Sequence, residues 1–330
     1  MTLMNREALA HRLREHKGAF AAAAMFALIF ALYIANHPSG WTVPVLTTAA
    51  NKAVLLAIVA MAQTLPVLTS GIDLSVGMVF VLANCLASHL VVGGPVQAAF
   101  GIVVVLGAGA LCGWVNGVII VYGRLQPIIT TLATGTVYFG LSLALRPVPG
   151  GEVQPGLADA LTGAPFGVPA LLLVLVAVVA LVWIPYRRSV IGRAAMAIGS
   201  AEGAAYMSGV PIGRAKIVAY TLAGLLAAIG GRLLTFVTYS GEASSAIGGT
   251  YTLNSIAAVV IGGTSLAGGA GSAIGSIFGA FVLRTIGDLL FVFDLEPLWQ
   301  PLFQGVILLV AVSLGAVQLL RVGNRLELFK

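Results

Sequence analysis

A single carboxylate, Asp73, lies between two glycines in a long apolar part of the chain. The segment reads Leu65-Pro-Val-Leu-Thr-Ser-Gly-Ile-Asp-Leu-Ser-Val-Gly-Met-Val-Phe80. A charged residue at the centre of a membrane helix costs about 2.5–3.5 kcal/mol and usually marks a functional position. Interrupted backbone is tolerated in a membrane only where protein buries it or water reaches it. The segment therefore predicts a helix that breaks at membrane depth beside a transport pathway.

Two roles are open for Asp73. Its carboxylate can cap the helix that starts after the break, because carboxylates accept backbone N–H bonds and suit the positive end of a helix dipole. It can also contact a transported solute directly.

Arg284 and Asp288, four residues apart, are expected to pair on one face of their helix. The other polar residues at predicted membrane depth are Gln63, Ser75, Asn84, Asn116 and Arg232.

The sequence excludes several catalytic chemistries. None of the four lysines stands in a Gly-x-x-x-x-Gly-Lys-[Ser/Thr] loop, so the chain does not hold ATP through a P-loop. The four histidines show no metal-binding spacing with cysteine or carboxylate. Cys85 and Cys112 lie in apolar segments and imply no disulfide framework. We therefore expect a protein that is not an enzyme and that carries no metal or cofactor of its own.

Composition places the chain in a membrane. Of its 330 residues, 59% are hydrophobic and 8% are charged, with a mean hydropathy of +1.04, whereas soluble domains carry about 25% charged residues. The net charge of +6 comes from bases grouped at Arg6–Lys17, Arg187–Lys216 and Arg321–Lys330. Bases clustered at membrane edges do not indicate nucleic-acid binding. By the positive-inside rule these regions, and with them both termini, face the cytoplasm.

The hydropathy pattern predicts an all-α polytopic membrane protein with about ten transmembrane helices. A span needs about 20 apolar residues. The predicted helices are Ala19–Ala35, Ala49–Thr69, Leu74–Val92, Ala98–Val121, Pro127–Leu145, Val168–Trp183, Ile217–Tyr239, Leu253–Gly263, Ser272–Phe291 and Pro301–Leu320. Segments near 70–77 and 253–269 are broken or re-entrant, and full crossing by the second, third and eighth helices is left open. The domains are a cytoplasmic N-terminus at 1–18, one transmembrane domain at 19–320 with a cytoplasmic loop at 187–216, and a cytoplasmic tail at 321–330.

Glycine patterns mark two breaks and two packing faces. The segments Gly71–Gly77 and Gly263–Gly269 share the form Gly-x-[Asp/Ser]-Leu-x-x-Gly, which is either chance or an internal repeat of the kind found in transporters. Glycines at every fourth position let helix backbones approach closely, either inside the bundle or at a subunit interface. Such ladders are Gly109, Gly113 and Gly117, and Gly271, Gly275 and Gly279.

A stretch of small residues lies in the basic internal loop. Ala201–Ser208 favours a short helix that ends at Gly209, since helices commonly end at glycine. A short helix flanked by bases can rest on anionic lipid. It can equally dock a partner protein.

This loop and the Asp73 break together carry a family resemblance. The chain resembles the ribose-type permease subunits of bacterial ATP-binding-cassette (ABC) importers, in the superfamily that also holds branched-chain amino-acid permeases. Four stretches match in the family's order over about residues 50–320, namely Gly71–Gly77, Asn116-Gly117 with Pro127–Thr134, Gly192-Arg193 with Glu202–Gly209, and Ile256–Gly269. The chain departs from the family pattern at Ala201, at Tyr206, at 146–151 and at 284–288, so the resemblance does not fix the substrate.

The resemblance implies a permease in the bacterial cytoplasmic membrane, paired with a second permease as a homodimer or with a related subunit. Two cytoplasmic ATP-binding subunits, which hold the ATP and Mg²⁺, bind below it, an external sugar-binding protein docks above, and membrane lipid surrounds it. The implied coupling helix to the ATPase comprises Glu202, Gly203, Ala204, Ala205, Ser208 and Gly209. The implied pathway or helix-break residues are Gly71, Asp73, Ser75, Gly77, Asn84, Asn116, Thr130, Thr131, Gly262, Gly263, Thr264 and Ser265.

The expected function is therefore sugar import by alternating access, driven by ATP on a partner subunit. One alternative keeps this machine and changes the cargo to another small polar solute, such as an autoinducer or an amino acid. A second alternative is an ion- or proton-coupled secondary transporter in which Asp73 or Asp288 titrates. A channel is a third.

Overall fold

The structure is a computed structural model that describes residues 17–296 and also residues 299, 302, 303, 305, 306, 309 and 313. The elements within 17–296 are helical apart from turns and one isolated bridge between Gly150 and Gly241. Twelve α-helices are described in this part of the chain. They are α1 Lys17–Asn36, α2 Val43–Leu68, α3 Val76–Leu90, α4 Pro95–Tyr122, α5 Pro127–Leu145, α6 Pro155–Thr162, α7 Ala170–Arg188, α8 Val190–Ser200, α9 Glu202–Met207, α10 Ile212–Thr238, α11 Ser245–Ile261 and α12 Ala273–Val292.

Seven of these helices are long and apolar enough to cross a membrane, namely α1, α2, α4, α5, α7, α10 and α12. The apolar helices α3 and α11 are shorter, with 15 and 17 residues, and are not among these seven. The polytopic all-α prediction is therefore confirmed. The predicted tenth helix, Pro301–Leu320, lies largely outside the described residues, as do most of the predicted terminal segments 1–18 and 321–330.

The two ends of the bundle differ in charge. One end, here the basic end, carries Lys17, Arg124, Arg187, Arg188, Arg193, Arg214 and Lys216 together with Glu202. The other end, here the acidic end, carries Glu152, Asp159, Glu242, Asp294 and Glu296 together with Arg146. This asymmetry follows the charge pattern that the sequence predicted.

Helix α2 is longer at its start than the sequence predicted, while its end at Leu68 lies within one residue of the predicted end. It begins at Val43 rather than Ala49, because Thr42 is extended and Pro44 occupies the first turn, where its missing N–H costs nothing. At 1.5 Å per residue its 26 residues span about 39 Å, more than the roughly 30 Å hydrocarbon core. The break at Asp73 therefore lies towards the basic end of the bundle, where Ser70 contacts Gly199.

Helix α10 is the centre of the bundle and packs against α2, α3 and α4. The first glycine ladder lies on this contact. A Cβ on Gly113 would overlap the carbonyl of Tyr220, and one on Gly109 would overlap Ala228 and Gly224. This ladder is therefore an internal packing face. In the second ladder, Gly275 and Gly279 of α12 pack in the same way on Gly262 and Ala258.

Segment 253–269 also differs in part from its prediction. Helix α11 starts at Ser245, where the Ser244 side chain accepts a hydrogen bond from the N–H of Ile247, and it continues to Ile261 at the basic end. It is therefore longer than the predicted Leu253–Gly263 segment, and a glycine-rich turn follows it. The connection between α5 and α7 contains the short helix α6.

Candidate functional site

The Asp73 carboxylate is bound by the backbone and side chain that follow it. Asp73 is only 2% exposed. Its Oδ1 accepts hydrogen bonds from the Ser75 amide at 2.8 Å and the Ser75 hydroxyl at 2.6 Å. Helix α3 begins one residue later, at Val76. The carboxylate thus holds the turn that enters α3, which is the geometry of a helix-start bond.

Side chains from three other helices extend this network. The Asn116 amide of α4 donates to Ser75 Oγ at 2.8 Å, and the Tyr138 hydroxyl of α5 donates to Asn116 Oδ1 at 3.1 Å. Gln63 of α2, with its amide nitrogen facing the Asp73 carbonyl, pairs with both backbone groups of Asp73 at 2.9 and 3.2 Å. The network therefore ties the break to helices that are distant in sequence.

The same break is bound on its other side by threonine hydroxyls. The Leu74 amide donates to Thr131 Oγ1 of α5 at 2.9 Å, and the Gly77 amide donates to Thr252 Oγ1 of α11 at 3.1 Å. Among residues 17–296 no lysine or arginine pairs with Asp73. Because the polar partners are on the chain itself, the arrangement favours a positioning role for Asp73 over direct contact with a solute.

The second break, residues 262–271, is a tight glycine turn at the basic end. The backbone has positive φ at Gly263, Gly268, Gly269 and Gly271, a region that glycine enters at no steric cost. Thr264 is buried, and its Oγ1 accepts the Ser272 amide at 3.2 Å just before α12 begins. Ser265 closes the turn through its amide, which donates to the Ala270 carbonyl at 2.9 Å.

The two breaks meet each other and the end of α8. We call this contact the basic-end junction, formed by 68–71, 199–200 and 267–269. The Ser70 hydroxyl donates to the carbonyls of Ala267 at 2.7 Å and Gly199 at 3.2 Å, and the Gly269 amide donates to the Leu68 carbonyl at 3.2 Å. A Cβ on Gly199 would overlap Leu68 and Gly269. The end of α8 is therefore in close contact with both breaks.

Helix α8 leads straight into the predicted coupling helix, α9. Ala205 is buried against Ala194, Ile198 and Ala215, so it anchors α9 to the bundle. Glu202 pairs with Lys216 at 2.6 Å. Gly203, Ala204, Ser208 and Gly209 are exposed, and so are two apolar side chains that the sequence interpretation did not single out as site residues, Tyr206 at 73% and Met207 at 85%.

Not all predicted site residues come together. Asn84 lies near the acidic end, where it bonds to Thr235, to the Ser240 carbonyl and to the Glu242 amide. Thr130 is buried beside Thr131, and its hydroxyl has no hydrogen-bond partner among the described residues. Gly262 is part of the α11–α12 packing contact. The predicted site residues therefore lie in three places. These are the Asp73 network, the second break, and the hydrogen bonds of Asn84 near the acidic end.

Sequence reasoning missed the residues that join these parts. Ser70, Gly199 and Tyr138 were not singled out, because their roles depend on partners 22 to 197 residues away. The positive φ of Ser70, 61°, had no signal in the sequence. The exposed apolar pair on α9 was visible as a departure from the family pattern at Tyr206.

Two separate groups of charged side chains, outside the Asp73 network, lie within the described part of the bundle. The predicted pair of Arg284 and Asp288 is confirmed at 3.3 Å, and Lys52 of α2 adds a second contact to the same Asp288 oxygen at 3.3 Å. Arg232 of α10 lies over the Phe236 ring, 5.5 Å from its centroid. Neither group contacts the Asp73 network.

Comparison with known proteins shows where this architecture belongs. The family model for permease components of branched-chain amino acid transport systems matches residues 45–312. The chain is a member of this permease family. It is accordingly the non-catalytic membrane subunit of an ABC import system, a kind of assembly that also contains an ATPase and a solute-binding protein.

Three relatives are informative. The chain is 33% identical over 307 residues to the ribose import permease protein of Escherichia coli strain K12, covering 91% of this chain and 93% of that one. It is 32% identical over 278 residues to the fructose import permease protein of Rhizobium meliloti, covering 82% and 77%. It is 30% identical over 278 residues to the autoinducer 2 import system permease protein of Photorhabdus laumondii, covering 82% and 81%. No solved structure matches.

Proposed function

We propose that this chain carries a monosaccharide of the ribose type across the bacterial cytoplasmic membrane by alternating access. The observation that carries the proposal is the likeness to a ribose import permease over nine-tenths of the chain. Among residues 17–296 no lysine or arginine pairs with Asp73, so the network offers no cation to an anionic cargo.

The energy of ATP hydrolysis enters at the basic end. Applied to this chain, the positive-inside rule places the basic end and the N-terminus of α1 in the cytoplasm. Helix α9 then faces the ATPase, with Tyr206 and Met207 as the apolar contacts that such a partner would cover. The small exposed residues at α9 allow the surface of the ATPase to approach closely. They are Gly203, Ala204, Ser208 and Gly209.

Movement of α9 reaches the pathway through the basic-end junction. Because Ala205 is packed against α8 and α10, α9 cannot move alone. Gly199 passes the displacement to Leu68 and Gly269, and so to both breaks. The Asp73 network keeps the first break intact while it moves. Opening and closing at the breaks therefore follows the state of the ATPase.

The coupling surface is tested by introducing charge on α9. We expect Tyr206→Glu and Met207→Glu to weaken association with the ATPase subunit, measured by co-purification, and to lower uptake in proportion. Val148→Glu is the matched control, because Val148 is similarly exposed but lies at the acidic end. Full ATPase association by both α9 variants would exclude α9 as the coupling helix.

A second cargo is supported by one relative, the autoinducer 2 import permease. The two cargoes are separated by adding labelled ribose or autoinducer 2 to vesicles that hold the assembled transporter with its own solute-binding protein. Uptake of ribose with exclusion of autoinducer 2 supports the sugar. The reverse result would assign the cargo to the autoinducer.

A further inference from the structure

The face of α5 that the bundle buries is polar along its length. Five residues of α5 are buried, and none is an aliphatic residue such as Leu, Ile or Val. They are Thr130, Thr131, Gly135, Tyr138 and Ser142. The opposite side of the helix is apolar and exposed, as at Leu132 and Val137. Polar side chains inside a membrane usually face the bundle interior or a water-filled path and mark solute pathways.

This polar face lies beside α3, and hydrogen bonds join the two helices at both ends. We call the contact the α3–α5 seam, formed by residues 74–89 and 131–145. At the basic end, Thr131 Oγ1 accepts the Leu74 amide at 2.9 Å. At the acidic end, His89 Nε2 donates to the Leu145 carbonyl at 2.9 Å. The seam is therefore closed at both ends in this structure.

Two loops meet at the acidic end of the seam. Gly150 follows α5 and Gly241 follows α10, and each donates its amide to the carbonyl of the other, at 3.0 and 2.8 Å. The Ser240 hydroxyl donates to the Gly150 carbonyl at 3.2 Å. The loop after α5 is thereby joined to the loop between α10 and α11.

Arg146, directly after α5, joins this pair of loops to α3. Its Nη2 donates to the carbonyl of Ser88 at 3.1 Å and to the hydroxyl of Ser88 at 3.0 Å. A Cβ on Gly241 would overlap the same hydroxyl. We call this contact the outer clasp, formed by Ser88, residues 146–151 and residues 239–242. The acidic end of α5 cannot separate from α3 unless Arg146 releases Ser88.

The closed clasp contains a donor that lacks an acceptor. The Nε of Arg146 is buried and has no hydrogen-bond partner among the described residues. A buried donor left unpaired costs about 1–3 kcal/mol, which offsets part of the stabilisation from the two bonds to Ser88. A contact that opens in each transport cycle has to belong to the low-stability parts of a fold.

We propose that the outer clasp is the outer gate of the permease and that Arg146 is the positioning residue that keeps it closed. When Arg146 releases Ser88, the acidic end of α5 moves away from α3 and the polar seam opens to a solute from outside. The Leu74 amide stays on Thr131 meanwhile, so the inner end of the seam remains closed. The proposal rests on the alternating access proposed above and adds the contact that controls the outer side.

Thiol labelling in right-side-out membrane vesicles tests the gate on the intact permease with its ATPase. Cys85 and Cys112 are changed to Ala, and Ser142→Cys then supplies the single thiol, which is buried in the seam one helical turn before Arg146. A membrane-impermeant maleimide should label this thiol slowly. Arg146→Met keeps the length of the side chain but removes its donors, so we expect labelling about ten-fold faster, equivalent to about 1.4 kcal/mol.

A second pair of variants opens the clasp without a change of charge. Gly241→Ala places a methyl group on the Ser88 hydroxyl, so labelling of Ser142→Cys should also become about ten-fold faster. Gly94→Ala is the matched control at the acidic end, because its Cβ meets nothing within 4 Å. Arg146→Lys retains a cationic donor for Ser88 and should restore slow labelling.

A second reporter separates gate opening from unfolding. Ser276→Cys lies fully buried in α12, outside the seam, and should stay unlabelled in every variant. Labelling of Ser276→Cys at the same rate as Ser142→Cys would show unfolding and would overturn the gate.

The remaining outcomes distinguish the gate from the proposed function. Slow labelling of Ser142→Cys in both Arg146→Met and Gly241→Ala, with ATP-dependent sugar uptake by the original chain, overturns the gate and leaves the function standing. Faster labelling in both variants, without sugar uptake by the original chain, supports the gate and overturns the sugar cargo.

Discussion

At the scale of single residues, the Asp73 carboxylate is best understood as a structural element of the break. The sequence alone identified the residue and both of its candidate roles. It could not identify Asn116, Tyr138 and Gln63 as members of one network, because those partners reach Asp73 only after four helices have packed. The network favours a structural role in which the Asp73 carboxylate holds the turn before α3, although Ser75 is the N-cap residue and α3 has no side-chain cap bond.

The first prediction removes the charge while keeping the acceptor. Asp73→Asn retains an oxygen for the Ser75 amide and hydroxyl, so transport should stay within a few-fold of the original chain. Asp73→Ala leaves both donors buried without an acceptor, which costs about 1–3 kcal/mol of stability. Thermal unfolding in detergent and uptake assays measure the two effects. Glu152→Gln is the control, since it removes an exposed carboxylate.

Loss of all transport in Asp73→Asn, with normal assembly and normal unfolding temperature, would contradict the capping role. It would favour an electrostatic contact between Asp73 and the solute, or titration of Asp73 during transport.

At the scale of helices, the hydropathy pattern predicted the seven long apolar helices, and the helix boundaries were the weaker part. Helix α2 was predicted to start six residues late, because Thr47 and Thr48 lower the local hydropathy although Pro44 already starts the helix. Helix α11 was predicted as a short dip because its first two turns are polar and glycine-rich. Both starts are set by local capping features, Pro44 in the first turn of α2 and the Ser244 cap of α11, which hydropathy does not report.

The second prediction uses two glycines of α4 that differ only in their surroundings. A Cβ on Gly113 overlaps the Tyr220 carbonyl, whereas nothing lies within 4 Å of a Cβ on Gly107. Gly113→Ala should therefore destabilise the chain by about 1–3 kcal/mol through overpacking. Gly107→Ala should be neutral or stabilise it by up to about 1 kcal/mol. Equal unfolding temperatures for the two variants would mean that α4 and α10 do not pack closely.

The third prediction concerns the basic-end junction. Gly199→Ala forces α8 away from Leu68 and Gly269, so ATP hydrolysis should be partly uncoupled from uptake while the ATPase still binds. The measured quantity is solute molecules carried per ATP hydrolysed. Gly249→Ala in α11 is the control, because its Cβ meets nothing within 4 Å. An unchanged ratio in Gly199→Ala would show that coupling takes another route.

At the scale of the whole molecule, the two ends of the bundle differ. The basic end holds the exposed α9 and the junction of both breaks, and the acidic end holds the polar contact between Asn84 and Glu242. The sequence predicted the charge asymmetry and the coupling segment. It could not predict that two glycine-rich breaks almost 200 residues apart meet beside α8, since that contact depends on the complete bundle.

The most direct test of the account is solute uptake by proteoliposomes that contain this permease, its ATPase and its solute-binding protein. The account predicts ribose accumulation that requires internal ATP on the basic-end side and that is unaffected when proton and sodium gradients are collapsed. Accumulation by the permease alone, driven by an ion gradient without the ATPase, would contradict it.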